Sequence, residues 1–159
     1  EEFLAMNPNG KVPIMVLPDG RVLPESNAIL SYLADGSELA GADRFERANV
    51  MQWLFFEQYS HEPFIATSRF IVKYLGSPAD RQADLEAKQP GGYRALDIME
   101  QHLAGHGWFA NKRFSIADIA LYAYTHVAHE GGFSLDKYAA ITDWIGRIEA
   151  RPRYVAMGS

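Results

Sequence analysis

The N-terminal part of the chain carries a strand pattern followed by a helix pattern. Residues 12–17, VPIMVL, form a short apolar run between glycine and proline, which predicts a strand that is buried on both faces. Residues 18–20, PDG, are typical of a turn. Residues 21–23 then form a second, shorter strand that ends at Pro24. The pattern therefore predicts a β-hairpin close to the start of the chain.

A helical period follows from Ser26 to Ala34, with its apolar side chains on one stripe. Ser26 or Asn27 is suited to cap the start of this helix, and Gly36 is suited to its end. Residues 36–42, GSELAGA, are small and polar, which predicts a linker.

Beyond the linker, the hydrophobic period is helical to the end of the chain. Asp43 and Glu46 form a capping-box pattern that opens a long helix. Pro63 is expected to kink or divide this helix near His61. A later helical segment is expected to be interrupted at residues 89–92, QPGG.

Ser115 and Asp118 give the clearest local signal in the second half. They match a capping box, and a helix is predicted from there to about His129. Asp118 is accordingly interpreted as a structural cap with Ser115 and not as a catalytic acid. A final helix is predicted over residues 140–150. The chain thus divides into a hairpin-plus-helix unit over residues 1–35, a linker over 36–42 and an all-helical domain over 43–159.

The charge and cysteine content of the chain exclude several classes of function. The chain has 159 residues, a net charge of −5 and no cysteine. The acidic balance argues against a nucleic-acid or anionic-membrane surface, and the absence of cysteine excludes disulfides, thiolate zinc sites and a catalytic cysteine within these residues. No apolar run reaches the ~20 residues that span a bilayer, and EEFLAMNPNG lacks the features of a signal peptide. A cytoplasmic protein is therefore expected.

Two histidines suggest a metal site, and the surrounding sequence argues against it. His126 and His129 are spaced to lie on one helix face, with Glu130 beside them. No third ligand is evident nearby, and the predicted helix ends there. We therefore predict no metal.

The order of several motifs resembles one family. GKVP in residues 10–13, the LPDG turn, PESNAI, FSIADI and the terminal WIGRIEARPRY occur in sequence over essentially the whole chain. This arrangement resembles a cytosolic-type bacterial glutathione S-transferase. The resemblance implies an α+β fold that is mostly α in this chain, with a partial thioredoxin-like domain (β-β-α) followed by the all-α C-terminal domain of a glutathione transferase.

One departure from the family pattern concerns catalysis. The first β-α-β of the thioredoxin-like domain has no counterpart here, and the family's catalytic Tyr, Ser or Cys lies in that part. The resemblance therefore leaves the catalytic residue unknown. A two-stranded hairpin is marginal alone, so we expect the natural protein to carry residues before Glu1.

The resemblance assigns glutathione as co-substrate and gives five residues a role in holding it. Glu25 and Ser26 would receive the γ-glutamyl group, a cis bond between Val12 and Pro13 would present Val12 to the cysteinyl backbone, and Lys11 would reach a carboxylate. A helix N-terminus such as that at Ser26 also favours carboxylates. From the residues alone, other readings stay open: Ser26 as a simple cap, Glu25 and Lys11 as solvated charges, and a trans proline.

The second substrate implied by the resemblance is a small hydrophobic electrophile. Phe55 and Tyr59, on the long helix, are candidates to line its pocket, with core or dimer packing as the alternative. The family also implies a homodimer.

Three functions are compatible with the sequence. The first is a glutathione transferase that conjugates or reduces small electrophiles. The second is a non-enzymatic binding module with the same fold, since fold does not settle function. The third is an inactive fragment of the enzyme.

Overall fold

The N-terminal unit is a hairpin followed by a helix. A computed structural model describes residues 2–156. A short helix, α1 (Glu2–Met6), precedes the antiparallel strands β1 (Ile14–Val16) and β2 (Val22–Pro24). The predicted hairpin is confirmed: its first strand is shorter than predicted, and its second strand is shifted by one residue.

The prediction that the first strand is buried on both faces is wrong. Val16 is 54% exposed, and Ile14 and Met15 are only half-buried. Within residues 2–156 the sheet has two strands, and α2 (Ser26–Ala34) packs against both of them. A two-stranded sheet covered by one helix leaves its second face open to solvent.

The bounds of α2 agree with the predicted Ser26–Ala34, but its cap does not. The residue before the helix is Glu25, and its side chain makes no capping hydrogen bond. Ser26 and Asn27 both lie inside the helix, so the prediction that one of them caps it is wrong. The predicted linker contains a 3₁₀ turn, Glu38–Ala40, which packs partly against the core.

The long helical stretch after the linker is divided as predicted. α3 (Arg44–Phe56) continues into a π-helical turn (Glu57–His61) and then α4 (Glu62–Arg69), followed by a second π-helical turn (Phe70–Tyr74). The division near His61 is a π turn, and Pro63 occupies the first turn of α4. Proline is tolerated in a first turn because the N–H groups there have no partner within the helix.

The predicted interruption at residues 89–92 is wrong. A 3₁₀ turn (Ala79–Arg81) leads into α5 (Gln82–Leu103), which runs through Pro90, Gly91 and Gly92 without a break. A Cβ atom on Gly91 would overlap the ring of Phe64, and one on Gly92 would overlap the ring of Phe133. These two glycines therefore allow close packing against aromatic rings, and they do not end the helix.

The remaining helices enclose the core. α6 (Ile116–Thr125) ends sooner than predicted and is followed by a 3₁₀ turn (Ala128–Gly131), and α7 (Ala139–Glu149) lies within a residue of its prediction. The largest fully buried side chains include Trp144, Tyr138, Phe109 and Phe133. No helix between residues 2 and 156 has the length and apolar character needed to cross a membrane.

Asp118 ties three elements together. Its carboxylate accepts hydrogen bonds from Ser115 N (2.9 Å) and Ser115 Oγ (3.1 Å) at the start of α6. It also accepts from Phe109 N (3.1 Å) and from Trp144 Nε1 (3.0 Å) in α7. Burial raises the pKa of Asp118, while these donors lower it. A buried carboxylate is tolerated when its oxygens are hydrogen-bonded in this way.

Candidate functional site

The hairpin register brings the predicted binding segments together. Ile14 lies opposite Pro24, so the chain enters β1 and leaves β2 at the same end of the hairpin. Pro13 and Glu25 are the next residues outward on the two strands, and paired strands lie about 5 Å apart. The sheet therefore sets residues 11–13 beside the N-terminus of α2.

Asn7 shapes the loop before β1 and was missed by the sequence analysis. It is 4% exposed, and its Nδ2 donates to Lys11 O (2.7 Å) while its Oδ1 accepts from Asn9 N (3.2 Å). Gly10 has a φ of 67°, which glycine adopts without strain. Asn-Pro and Asn-Gly in NPNG mark a turn, and that signal could have identified Asn7.

The peptide bond between Val12 and Pro13 is cis, as the resemblance implies. Val12 is 79% exposed, and Lys11 is exposed beside it. The backbone of this turn is thus exposed at the surface, and the hydrogen bond from Asn7 to Lys11 O fixes its position from the buried side.

Glu25 has an unusual backbone conformation. Its φ is 73°, a left-handed value that costs a non-glycine residue roughly 1 kcal/mol or more. The side chain is exposed, and Ser26 beside it is half-buried. Since no side chain caps α2, the N–H groups of its first turn are free of a side-chain competitor and can receive an anion.

Asn27 and Glu57 join α2 to α3, and the sequence analysis missed both. Asn27 Nδ2 donates to Leu54 O (3.1 Å) and to Glu57 Oε2 (2.9 Å). Glu57 is only 4% exposed, and burial is the main reason that its pKa rises to about 7. A polar pair between two distant segments leaves no local pattern in a sequence.

Glu62 brings a further charge to the predicted site. Burial raises the pKa of this half-buried carboxyl, the charges of Lys11 and Lys88 lower it, and the charge of Glu25 raises it. Lys88 Nζ also donates to Pro63 O (3.0 Å), which places it at the start of α4. The helical domain therefore contributes a carboxyl group whose pKa is affected by the charges of Lys11 and Glu25.

His61 is buried in the π turn between α3 and α4. Its Nε2 lies 2.9 Å from Thr125 Oγ1, whose own hydrogen points to Leu121 O (2.6 Å). Thr125 Oγ1 must therefore accept from His61, so Nε2 carries the proton. His61 Nδ1 has no hydrogen-bond partner among the described residues, and burial lowers the pKa of the ring to about 3.

A cleft of about 270 Å³ adjoins the N-terminus of α2. Phe55 and Glu25 both line it, together with Asn27, Ala28, Ser31, Met51, Leu54 and Gln58. Tyr59 is 85% exposed and is not part of its wall. The structure thus brings Phe55 close to the predicted glutathione residues and leaves Tyr59 on the open surface.

Glu130, which lies beside His126 and His129 in the sequence, is paired with two basic side chains. It pairs with Arg69 (2.5 Å) and Lys73 (2.5 Å), which lower its pKa to about 2. Across residues 2–156 there is no cluster of three or more His, Cys, Asp or Glu residues suited to a metal.

Comparison with known proteins identifies the family. The model for the glutathione S-transferase C-terminal domain matches residues 49–152, and the model for the N-terminal domain matches residues 1–35. The chain belongs to the glutathione S-transferase family.

Individual relatives agree with this assignment. A glutathione S-transferase from Pseudomonas fluorescens Pf-5 is 51% identical with a TM-score of 0.96, over 99% of this chain and 79% of that one. A sphingomonad glutathione S-transferase solved with glutathione is 32% identical with a TM-score of 0.79, over 96% of this chain and 74% of that one. The disulfide-bond oxidoreductase YfcG of Escherichia coli K12 is 30% identical, over 95% of this chain and 73% of YfcG.

The match does not extend over the whole of every relative. The chain spans about three fifths, 61%, of the length of the first curated relatives that it matches.

Proposed function

We propose that this protein is a glutathione transferase that uses the glutathione thiolate to conjugate or reduce small electrophiles. One observation carries the proposal: the hairpin register sets the cis Val12–Pro13 turn beside Glu25 and the uncapped N-terminus of α2. Glutathione has a backbone to pair, an amine and two carboxylates, and this junction offers a partner for each.

Each predicted residue has a distinct part in binding. The exposed backbone of Val12 would pair with the cysteinyl unit, and Lys11 would meet a carboxylate. The first turn of α2, with the hydroxyl of Ser26, would hold the γ-glutamyl carboxylate, because a helix N-terminus carries a partial positive charge. Glu25 would meet the γ-glutamyl amine.

The reaction begins with the thiolate of bound glutathione, since the thiolate and not the thiol is the nucleophile. With a carbon electrophile, the sulfur forms a C–S bond while the leaving group departs with its electron pair. With a disulfide, the sulfur forms a mixed disulfide and releases the other sulfur as a thiolate. YfcG, named a disulfide-bond oxidoreductase, supports including the second reaction. We assign the activating group to no residue of this chain.

The proposal is tested by glutathione binding and turnover. Isothermal titration of the full-length protein with glutathione should give saturable binding, and a chlorinated dinitrobenzene should be conjugated. Glu25→Gln should weaken glutathione binding about 10-fold, because it removes a charge-assisted hydrogen bond to the amine.

The matched control is Glu86→Gln, which alters an exposed glutamate on α5. Glutathione affinity should not change in this variant. A full-length protein that neither binds glutathione nor turns over thiol-reactive substrates would exclude the transferase and leave the non-enzymatic binding module.

We also propose that the electrophile and a second copy of the chain both contact the part of α3 that carries Met51 and Phe55. Phe55 lines the cleft next to Glu25 and offers an apolar wall for a hydrophobic substrate. Met51, Phe55 and Tyr59 recur every four residues and are 49%, 66% and 85% exposed, which favours a homodimer contact along this face. A cytoplasmic location fits the reaction, because glutathione is kept reduced there.

A further inference from the structure

Asn27 makes its contacts outside its own helix. It lies in the first turn of α2, where an asparagine side chain commonly bonds to neighbouring backbone. Its Nδ2 instead donates to Leu54 O (3.1 Å) and Glu57 Oε2 (2.9 Å), both about thirty residues further along the chain. These two bonds attach the first turn of α2 to the end of α3.

Burying the Glu57 carboxylate beside Asn27 is energetically unfavourable. A carboxylate that is 4% exposed is unfavourable unless it is hydrogen-bonded, and Asn27 supplies its side-chain hydrogen bond. Glu57 also opens the π turn Glu57–His61, and single π turns within α-helices are frequent at functional sites.

The segment that this pair anchors is the one that must meet glutathione. Glu25 and Ser26 directly precede Asn27, and no side chain caps their helix. Glu25 is also held in a left-handed conformation, which persists only when the surrounding structure enforces it. Two hydrogen bonds from one side chain at Asn27 restrict both the position and the rotation of this turn.

We propose that Glu57 is a positioning residue: through Asn27 it fixes the first turn of α2, so that Glu25 and Ser26 meet the γ-glutamyl group in one orientation. This inference rests on the proposed function, because it concerns the same glutathione site. Glu57 itself touches no substrate. Its contribution is preorganisation, which improves affinity by reducing the ordering that binding would otherwise require.

The test compares four variants of the full-length protein: Glu57→Ala, Glu57→Gln, Asn27→Ala and the double variant Asn27→Ala/Glu57→Ala. Glu57→Ala should raise the KM and Kd for glutathione about 10-fold, with kcat at saturating glutathione within about 2-fold of wild type. Glu57→Gln should stay within about 3-fold, because its amide oxygen can still accept from Asn27.

The double variant shows whether Asn27 and Glu57 affect glutathione affinity through one shared interaction or independently. Asn27→Ala should weaken glutathione binding as Glu57→Ala does, and the double variant should be no weaker than either, since both single changes break the same link. Gln52→Ala, on the exposed face of α3, is the control and should leave KM and kcat unchanged.

Several results would overturn this inference. One is wild-type glutathione affinity in Glu57→Ala. Another is a loss of affinity in the double variant that equals the sum of the two single losses. The third is a loss of kcat with unchanged affinity. If Glu57→Ala does not fold, Asn27→Ala decides the matter: the positioning role predicts a raised KM for glutathione in the folded variant, and a purely structural role predicts the wild-type KM. A wild-type protein that does not bind glutathione would instead overturn the proposed function, and this inference with it.

Discussion

Three buried polar side chains, His61, Glu57 and Asp118, connect elements that are distant in the chain. His61 reaches Thr125 of α6, Glu57 reaches Asn27 of α2, and Asp118 reaches Trp144 of α7. Each is nearly or fully excluded from solvent, so its hydrogen bonds must be made inside the protein. The three side chains therefore specify how the helices meet, and burial shifts the pKa of each.

The buried His61 should make stability depend on pH. Its pKa is about 3 in the folded protein and 6.5 as the reference value for an unfolded chain. Below about pH 6.5 the unfolded chain binds a proton at His61 that the folded protein does not bind. The contribution of His61 to the free energy of unfolding is therefore complete well above that pH and is lost as the pH falls. From about pH 8 to about pH 5 the loss should be roughly 2 kcal/mol.

Urea unfolding of wild type and His61→Gln at both pH values measures this loss. The difference in free energy of unfolding between the wild type and the variant should be smaller by that amount at the lower pH, because glutamine does not titrate. The same change at the exposed His129 is the control and should leave the pH profile as it is in the wild type. A difference that is equal at both pH values would contradict the prediction.

At the scale of elements, α5 shows why glycine was misread. The sequence QPGG combines three signals of a break, yet α5 is continuous through it. Gly91 and Gly92 face the rings of Phe64 and Phe133, which occupy the space that side chains would need. The packing gained against two aromatic rings outweighs the cost of glycine in a helix, which is about 1 kcal/mol per residue.

Gly92→Ala should therefore destabilise the protein by roughly 1–3 kcal/mol, because its Cβ would overlap Phe133. Gly146→Ala is the matched control: Gly146 lies on the exposed side of α7, and a Cβ there meets nothing within 4 Å. The control should be stabilised by about 0.5–1 kcal/mol from helix propensity. Chemical denaturation measures both, and stabilisation of both variants would refute the packing explanation.

At the scale of the whole molecule, an apolar face runs along α3 and the π turn that follows it and is exposed in the described fold. Phe55 and Tyr59 lie one helical turn apart and are both largely exposed. Phe55 also borders the cleft beside Glu25, so a second copy on this face would lie next to the proposed glutathione site.

Phe55→Lys should convert a dimer into a monomer, because it places a charge in an apolar contact. Size-exclusion chromatography with light scattering on the full-length protein measures the change. Val155→Lys, which alters a residue that is 75% exposed near the end of the described chain, is the control and should leave the dimer intact. A wild-type protein that is monomeric, or a dimer that tolerates Phe55→Lys, would contradict the homodimer.

Much of the architecture could be predicted from local pattern. The hairpin, the bounds of α2 and the division near His61 follow from period, turn residues and proline, all of which act within a few residues. The start of α6 was predictable for the same reason, since Ser115 and Asp118 are neighbours on one turn. The misreadings at Val16 and at residues 89–92 arise because exposure and ring packing depend on partners far along the chain.

The sequence by itself determined which segments we propose for glutathione binding, because Lys11, Val12, Pro13, Glu25 and Ser26 lie in two short, recognisable motifs. Only the tertiary structure decided how these segments meet and what supports them. The hairpin register brings the two segments together. Asn7 supports the segment before β1, and the pair of Asn27 with Glu57 supports the first turn of α2. The physical reason is that a buried hydrogen bond between distant segments depends on where the folded backbone brings two side chains, and no local period records that position.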